Sequence, residues 1–327
     1  LDKALKSILL MSGAGLLPFA DDFSTAKSQW TGATWSVAGG VAVNTPNLGL
    51  DMITNGDMEL DANWNSEGTV TNERSNTQAH GGTYSRHCAA DAAFEGIKQT
   101  QTAVLGRWVQ ASAWLYGNGT KLLAQLKTAA AASSFLTTGG NAGQTIPAAW
   151  TNVLSTARFL WANASGDFFR TLSAAGVTTA DWYEDDVTVN ALALAELFRT
   201  LPASQASVTA QVTIAALTDR TQAGLVVNLD SIATPLNFVI VYHDRTNIYM
   251  DQCVNGIYTN LITAAIAFNN SKALKVIKSN DTYSAWYGGI QYGTDQTITG
   301  MNGTIHGLFS TYSGNTLEDY SLLATPF

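Results

Sequence analysis

The feature that most constrains this chain is its turn chemistry. Gly39-Gly40, Asn55-Gly56, Gly81-Gly82, Asn118-Gly119, Gly139-Gly140, Asn255-Gly256, Gly288-Gly289 and Asn302-Gly303 punctuate the sequence from end to end. Gly and Asn reach the left-handed backbone conformations that tight turns require. Between these turns lie short runs rich in Val, Thr, Ile, Tyr and Trp, residues that suit strands better than helices. Short strands at such regular spacing predict an all-β chain of sandwiches.

Alternation assigns faces to several strands. From Trp108 to Tyr116, one face carries Val109, Ala111, Ala113 and Leu115, and the other carries Trp108, Gln110, Ser112, Trp114 and Tyr116. Val208, Ala210, Val212 and Ile214 share a face in the same way. Gly224 to Leu229 and Asn237 to Tyr242 are apolar nearly throughout, the pattern of inner strands. Two hairpins are predicted: Asn247 to Met250 with Gly256 to Leu261, and Tyr283 to Trp286 with Gln291 to Tyr292. Short helical candidates lie near Leu5 to Met11 and Leu192 to Leu201.

Charge narrows the function. Only 13% of residues are charged, about half the usual share of roughly 25%. The net charge is −8 and no Lys/Arg cluster occurs, so nucleic acid and anionic membrane surfaces are not expected partners. Cys88 and Cys253 form no Cys-x-x-Cys pair, which argues against a thiolate zinc site. Each is read as a small buried residue of its own module. No run approaches the 18–20 apolar residues of a membrane span. Lys3 and Lys6 followed by Ile8-Leu9-Leu10-Met11 have the outline of a signal peptide. The expectation is instead an apolar arm, residues 1–20, docked on a neighbouring subunit.

Three pieces of sequence then carry a resemblance. Ile53-Thr-Asn-Gly-Asp-Met-Glu59 is followed by Trp64. Asn72-Glu-Arg-Ser75 leads to Ala79-His-Gly-Gly-Thr-Tyr-Ser85 and then to the run from Gly106 to Tyr116. The segment closes on Trp150 and Asp181-Trp-Tyr-Glu-Asp-Asp-Val-Thr-Val189. In this order and spacing, residues from about 47 to 191 resemble carbohydrate-binding modules of the family 4 and 9 type. Residues from about 204 to 322 resemble a concanavalin A-like (laminin-G-like) jelly roll, through Asn237-Phe-Val-Ile-Val-Tyr-His-Asp244, His306-Gly-Leu-Phe-Ser-Thr-Tyr312 and Leu317-Glu-Asp-Tyr-Ser321. Such a domain opens with an Asp-Asp-Phe strand, and Asp21-Asp22-Phe23 stands far upstream. The expected organisation is therefore two β-sandwich (jelly-roll) domains, one inserted into the other. A short N-terminal arm spans 1–19, the first part of the jelly roll 20–46, the inserted module 47–191 and the remainder of the jelly roll 192–327. The pairing also resembles modular structural proteins of bacteriophage virions, an analogy at the level of fold.

Sugars are held by stacking on aromatic rings, with hydrogen bonds fixing their orientation. The face with Trp108, Gln110, Trp114 and Tyr116 offers that combination, with Tyr84 and Arg86 as secondary candidates on a neighbouring strand. The same aromatics could instead be packing residues, and the sequence leaves both readings open. The resemblance implies one structural calcium, with Glu59 and Asp185 or Asp186 at the family-like positions; such an ion needs hard oxygen ligands. Catalysis lacks its motifs: there is no Glu-x-Asp-x-x-Glu strand, no Gly-x-Ser-x-Gly elbow and no His pair at metal-ligand spacing. The expected function is non-catalytic glycan binding and adhesion on an extracellular or virion surface, directed at cell-surface glycans or a polysaccharide. The alternatives are a purely structural decoration or tail subunit and, third, a carbohydrate-active enzyme.

Overall fold

A computed structural model describes residues 17–100, 106–129, 132–153, 156–161 and 168–325. The fold is all-β, as the turn spacing predicted. Its chain divides into two compact units, one made of the residues up to Asn47 together with those from Leu192 on, the other of Leu48–Ala191. The predicted helix near Leu5 to Met11, and the arm up to residue 16, lie outside the described residues. The next residues turn inward: Leu17 and Phe19 pack against the core of their own unit.

In the first unit, one sheet runs in the order Trp35–Ala38, Val41–Asn44, Thr316–Ala324, Val208–Ala216, Ala273–Ser279, Thr282–Tyr287 and Ile290–Thr297. Phe19–Asp21 joins it through Thr316–Ala324, so the strand opens at Phe19, one residue before Ala20. The Asp-Asp-Phe motif has a packing reason. Buried Asp21 accepts the Trp30 indole N–H at 2.6 Å and the Phe23 N–H at 3.0 Å, which fixes both rings beside the core. The facing sheet runs Phe198–Pro202, Ile305–Ser310, Ala223–Leu229, Phe238–His243, Asn247–Val254 and Ile257–Ala265. Val208, Ala210, Val212 and Ile214 are fully buried against Leu225, Val227, Val239 and Val241. The two inner strands, Ala223–Leu229 and Phe238–His243, are buried at every position, as their nearly continuous apolar runs predicted. Both hairpins form: Trp286 and Ala285 pair with Gln291 and Tyr292 as expected, whereas Asn247 to Met250 pair with Ala265 to Ile262, beyond the expected Gly256 to Leu261, because the two strands run on to a tighter turn at Asn255-Gly256.

The segment Leu192 to Leu201, predicted as a helix, is not one. A single 3-10 turn, Leu194–Leu197, leads into the strand Phe198–Pro202. Its apolar run is too short for periodicity to tell helix from strand, and pairing with Ile305–Ser310 decides the outcome. Cys88 and Cys253 are free and buried, one in each unit. His243 accepts the Arg245 N–H at Nδ1, and buried His306 accepts the Asn228 N–H; both serve local hydrogen bonding. Among the described residues, no helix is long and apolar enough to cross a membrane.

The second unit is a sandwich of its own. One sheet runs Thr151–Val153, Arg107–Gly117, Ala180–Leu192, Ser85–Ala90 and Thr71–Ser75, with Arg158–Trp161 paired to Arg107–Gly117 and Leu48–Asp51 to Ala180–Leu192. The other runs Ala132–Phe135, Thr120–Ala129, Phe168–Ser173, Gly96–Thr100 and Asn65–Glu67. Val109, Ala111, Ala113 and Leu115 are fully buried, with Leu122, Ala124, Ile97 and Phe169 in the same core. The small aliphatic face of Arg107–Gly117 is thus the core face, and the face carrying Trp114 and Tyr116 looks away from it.

Candidate functional site

The outward face of the first sheet of this unit gathers aromatic side chains into a row. Residues opposite one another on neighbouring strands share a face. Tyr116 is paired with Tyr183, Tyr183 with His87, and His87 with Glu73, so four strands contribute one side chain each. The rings touch in sequence: Trp150 to Tyr116 at 5.7 Å, Tyr116 to Tyr183 at 6.1 Å, and Tyr183 to His87 at 4.8 Å with the planes 26° apart. The next outward position of the central strand, Trp114, carries the His80 imidazole stacked on its indole, centroids 3.8 Å apart. His80 also meets the edge of Trp150 at 5.7 Å. Trp114, Tyr116, Trp150, Tyr183 and His87 are all half-buried.

Carboxylates rim the row. His87 lies between two, with Nδ1 3.0 Å from Glu73 Oε1 and Nε2 3.2 Å from Asp181 Oδ1. Nδ1 of His80 is 2.6 Å from Asp186 Oδ2. The turn that presents His80 is built by acids. Asp185 accepts the N–H groups of His80 and Gly81 on Oδ2 and that of Asp186 on Oδ1. Glu59 Oε1 accepts the N–H groups of Thr83 at 2.6 Å and Tyr84 at 2.9 Å. Those two donors hold the Glu59 carboxyl below its usual range. Gly81 and Gly82 let the acids come this close: a Cβ on Gly82 would lie 2.1 Å from Glu59 Oε1.

Two of the expected platform residues fall elsewhere. Trp108 is 2% exposed, because at its end of the strand the sheet carries Leu160 and Arg158 onto the same face, in register with Trp108 and Gln110. Trp108 therefore offers no ring to a ligand, and Gln110, paired with Asn190 and Arg158, stands away from the aromatic row. Arg86 alternates to the inner side and is locked there. Its guanidinium is bonded to the side chain and carbonyl of Asn72 and, at 2.6 Å, to Asp61. The ring of Tyr84 is capped by the Arg74 guanidinium at 4.0 Å. Trp114 and Tyr116 are where alternation placed them. The sequence reading missed Trp150, Tyr183, His80 and His87 as site residues. Tyr183 and His87 alternate with buried Trp182 and Cys88, and that alternation was the signal that could have found them.

The calcium that the resemblance implies would call on acids that already serve the 80–84 turn. Glu59, Asp185 and Asp186 are hard oxygen donors, and all three lean on the 80–84 turn. Yet Glu59 and Asp185 direct their oxygens at backbone N–H groups, and Asp186 is bonded to His80. Among the described residues, no group of three or more His, Cys, Asp or Glu side chains is placed to hold a metal ion. These acids brace the turn through its own N–H donors and its histidine. A neighbouring cavity of about 320 Å³ is lined by Asp51, Asn55, Gly56, Asp57, Asp186 and the Val187-Thr188 segment. Its Asp51 is already engaged by the N–H groups of Ile53 and Val189.

Perturbed acids often mark active sites, but those pushed upward here are sealed. Burial pushes the Glu184 carboxyl up to about 8 against the opposing pull of Thr171 and Trp182, and pushes Asp185 and Asp251 up to about 6. Each of the three is 3% exposed or less, so none faces an open cleft.

No protein-family model matches the chain, and no curated protein matches it. Solved structures with some likeness include a family 22 xylan-binding domain from Paenibacillus barcinonensis, with 13% identity, coverage of 45% of this chain and 98% of that one, and a TM-score of 0.36. A family 66 carbohydrate-binding module from Bacillus subtilis shows 14% identity over 37% of this chain and 78% of that one, with a TM-score of 0.31. A family 61 module in complex with β-1,4-galactotriose shows 17% identity over 43% of this chain and 97% of that one, with a TM-score of 0.32. With TM-scores this low, the likenesses assign the chain neither a family nor a ligand.

Proposed function

We propose that the chain is a non-catalytic glycan-binding protein whose binding surface is the aromatic row Trp150, Tyr116, Tyr183 and His87, flanked by Trp114. The observation that carries this reading is that these rings line the face opposite a core that is already complete. Val109, Ala111, Ala113 and Leu115 fill that core on the inner side, so the rings are not needed to build it. Half-exposed rings with carboxylates beside them supply both things a sugar needs, an apolar surface and hydrogen-bond acceptors.

Magnitudes explain why a row is needed. A millimolar to micromolar complex requires about 4 to 8 kcal/mol, and one aromatic contact contributes on the order of 1 kcal/mol beyond its buried area. Several rings must act together. Strands lie about 4.8 Å apart, so a row across four of them is longer than a single sugar ring and suits a chain of sugars lying across the strands. Such binding fits adhesion from an extracellular or virion surface.

A glycan-array screen of the whole chain beside Trp150→Ala and Tyr183→Ala variants tests this. Binding that both variants lose establishes the surface. Absence of binding to any glycan by a folded protein overturns it and leaves the purely structural subunit.

A further inference from the structure

Beyond the aromatic row itself, the exposed rim of this row carries net negative charge. Glu73 and Asp181 present side chains 62% and 66% exposed, and Asp186 one that is 36% exposed. All three lie at the row through His87 or His80. The two histidines do not cancel this charge. One imidazole stands between Glu73 and Asp181, so even as a cation His87 offsets one of the two carboxylates facing it. His80 can at most balance Asp186. The rim is negative in every histidine state.

Positive charge is directed elsewhere. Lys98 and Lys121 sit on strands of the other sheet. Arg170 also belongs to that sheet, where it bonds Glu67 and Gln125. Arg74 lies over Tyr84, and Arg86 is bonded to Asp61 and Asn72. Arg107 pairs with Trp161, in phase with the inner positions of its strand. Among the described residues of the outward face, the guanidinium present is that of Arg158, which is 7% exposed and donates to the carbonyls of Thr156 and Ala157.

We propose that this platform selects by charge: it takes uncharged glycan chains and turns away polyanionic ones such as polyuronates. The proposal rests on the reading of the aromatic row as a glycan surface. A uronate stacked on Tyr116 and Tyr183 brings its carboxylate among Glu73, Asp181 and Asp186, and among the described residues exposed Arg74 is in phase with inward Arg86 and lies over Tyr84, off this row. The rejection is electrostatic, so it is strongest at low ionic strength and weakens as the Debye length shrinks from about 30 Å at 0.01 M salt to about 3 Å at 1 M.

The test is calorimetric binding of the full chain to matched hexamers. Cellohexaose, xylohexaose and mannohexaose form the uncharged set, and hexagalacturonate and hexamannuronate the anionic set, each in 20 mM and 500 mM NaCl. The expected result is that at least one uncharged hexamer binds about tenfold or more tightly than either uronate at low salt, with a smaller ratio at high salt. A Glu73→Gln/Asp181→Asn variant is expected to narrow the low-salt ratio by at least about threefold. A uronate that binds as tightly as every uncharged hexamer in 20 mM NaCl overturns charge selection. If Trp150→Ala abolishes that binding, the glycan surface itself stands. Failure of all five hexamers to bind a protein with an intact circular dichroism spectrum removes the surface and this proposal together.

Discussion

The imidazole of His80 lies flat on the indole of Trp114, with the ring centroids 3.8 Å apart and the planes 16° from parallel. Its Nδ1 meanwhile reaches Asp186 at 2.6 Å. One side chain thus ties the 80–84 turn to the central strand by its face and to the closing strand by its edge. His80→Ala removes both ties. It is expected to lower stability by about 1 kcal/mol and to shift the Trp114 contribution to fluorescence toward longer wavelength, read as a difference spectrum against Trp114→Phe. An unchanged difference spectrum would mean that the stack is not populated in solution.

Trp108 and Tyr183 sit on the same face and should behave oppositely. Trp108 is 2% exposed, so Trp108→Ala is expected to cost about 3–5 kcal/mol in urea denaturation, as large-to-small core substitutions do. Tyr183 is half-buried. Tyr183→Ala is expected to cost about 1 kcal/mol while removing glycan binding. Equal stability losses for the two would contradict the placement of the row.

Glu184 gives the inserted unit an alkaline weakness. Burial raises its carboxyl to about 8, from 4.5 for the exposed group. The folded state therefore holds the proton more tightly than the unfolded state. The contribution of this group to stability is full below about pH 4.5 and is lost as pH rises through 8. At about 1.4 kcal/mol per unit, the loss is on the order of 5 kcal/mol. Glu184→Gln keeps the shape and cannot ionise. It is expected to be more stable than the parent at pH 9 and to flatten the unfolding free energy between pH 5 and 9. A parent profile already flat over that range would rule out the buried acid as its source.

Gly82 has φ +59 and leaves no room for a Cβ, which would lie 2.1 Å from Glu59 Oε1. Gly82→Ala is expected to cost about 1–2 kcal/mol for the left-handed backbone alone, and more because Glu59 must move off Thr83 and Tyr84. The two effects share one contact, so Gly82→Ala in a Glu59→Ala background should cost less than in the parent. Strict additivity in thermal melts would show that the contact does not form.

Which half of this architecture could be read from the sequence follows from the range of the interactions involved. The faces of Arg107–Gly117 were legible because Val109, Ala111, Ala113 and Leu115 alternate with larger or more polar neighbours, a purely local pattern. The burial of Trp108 was not, because it depends on pairing with Leu160, more than fifty residues away. The same holds for the aromatic row. Tyr116, Tyr183, His87 and Glu73 become neighbours only once the strand order is known, and nothing in the spacing of those positions reveals it. Arg86 looked available two positions from Tyr84, yet it stands one step of alternation from outward His87 and is bonded inward to Asn72 and Asp61.

The points where the two units meet along the chain are each closed from within. On one side, the Glu196 carbonyl accepts the Thr34 hydroxyl, the Trp35 indole N–H and the Asn44 amide, while its carboxylate receives the backbone and side-chain amides of Asn47. On the other, Leu48–Asp51 pairs with Ala180–Leu192. Because the first and last strands of Leu48–Ala191 lie side by side, the two ends of that segment emerge together, the geometry that lets a whole unit be spliced into or out of a single loop.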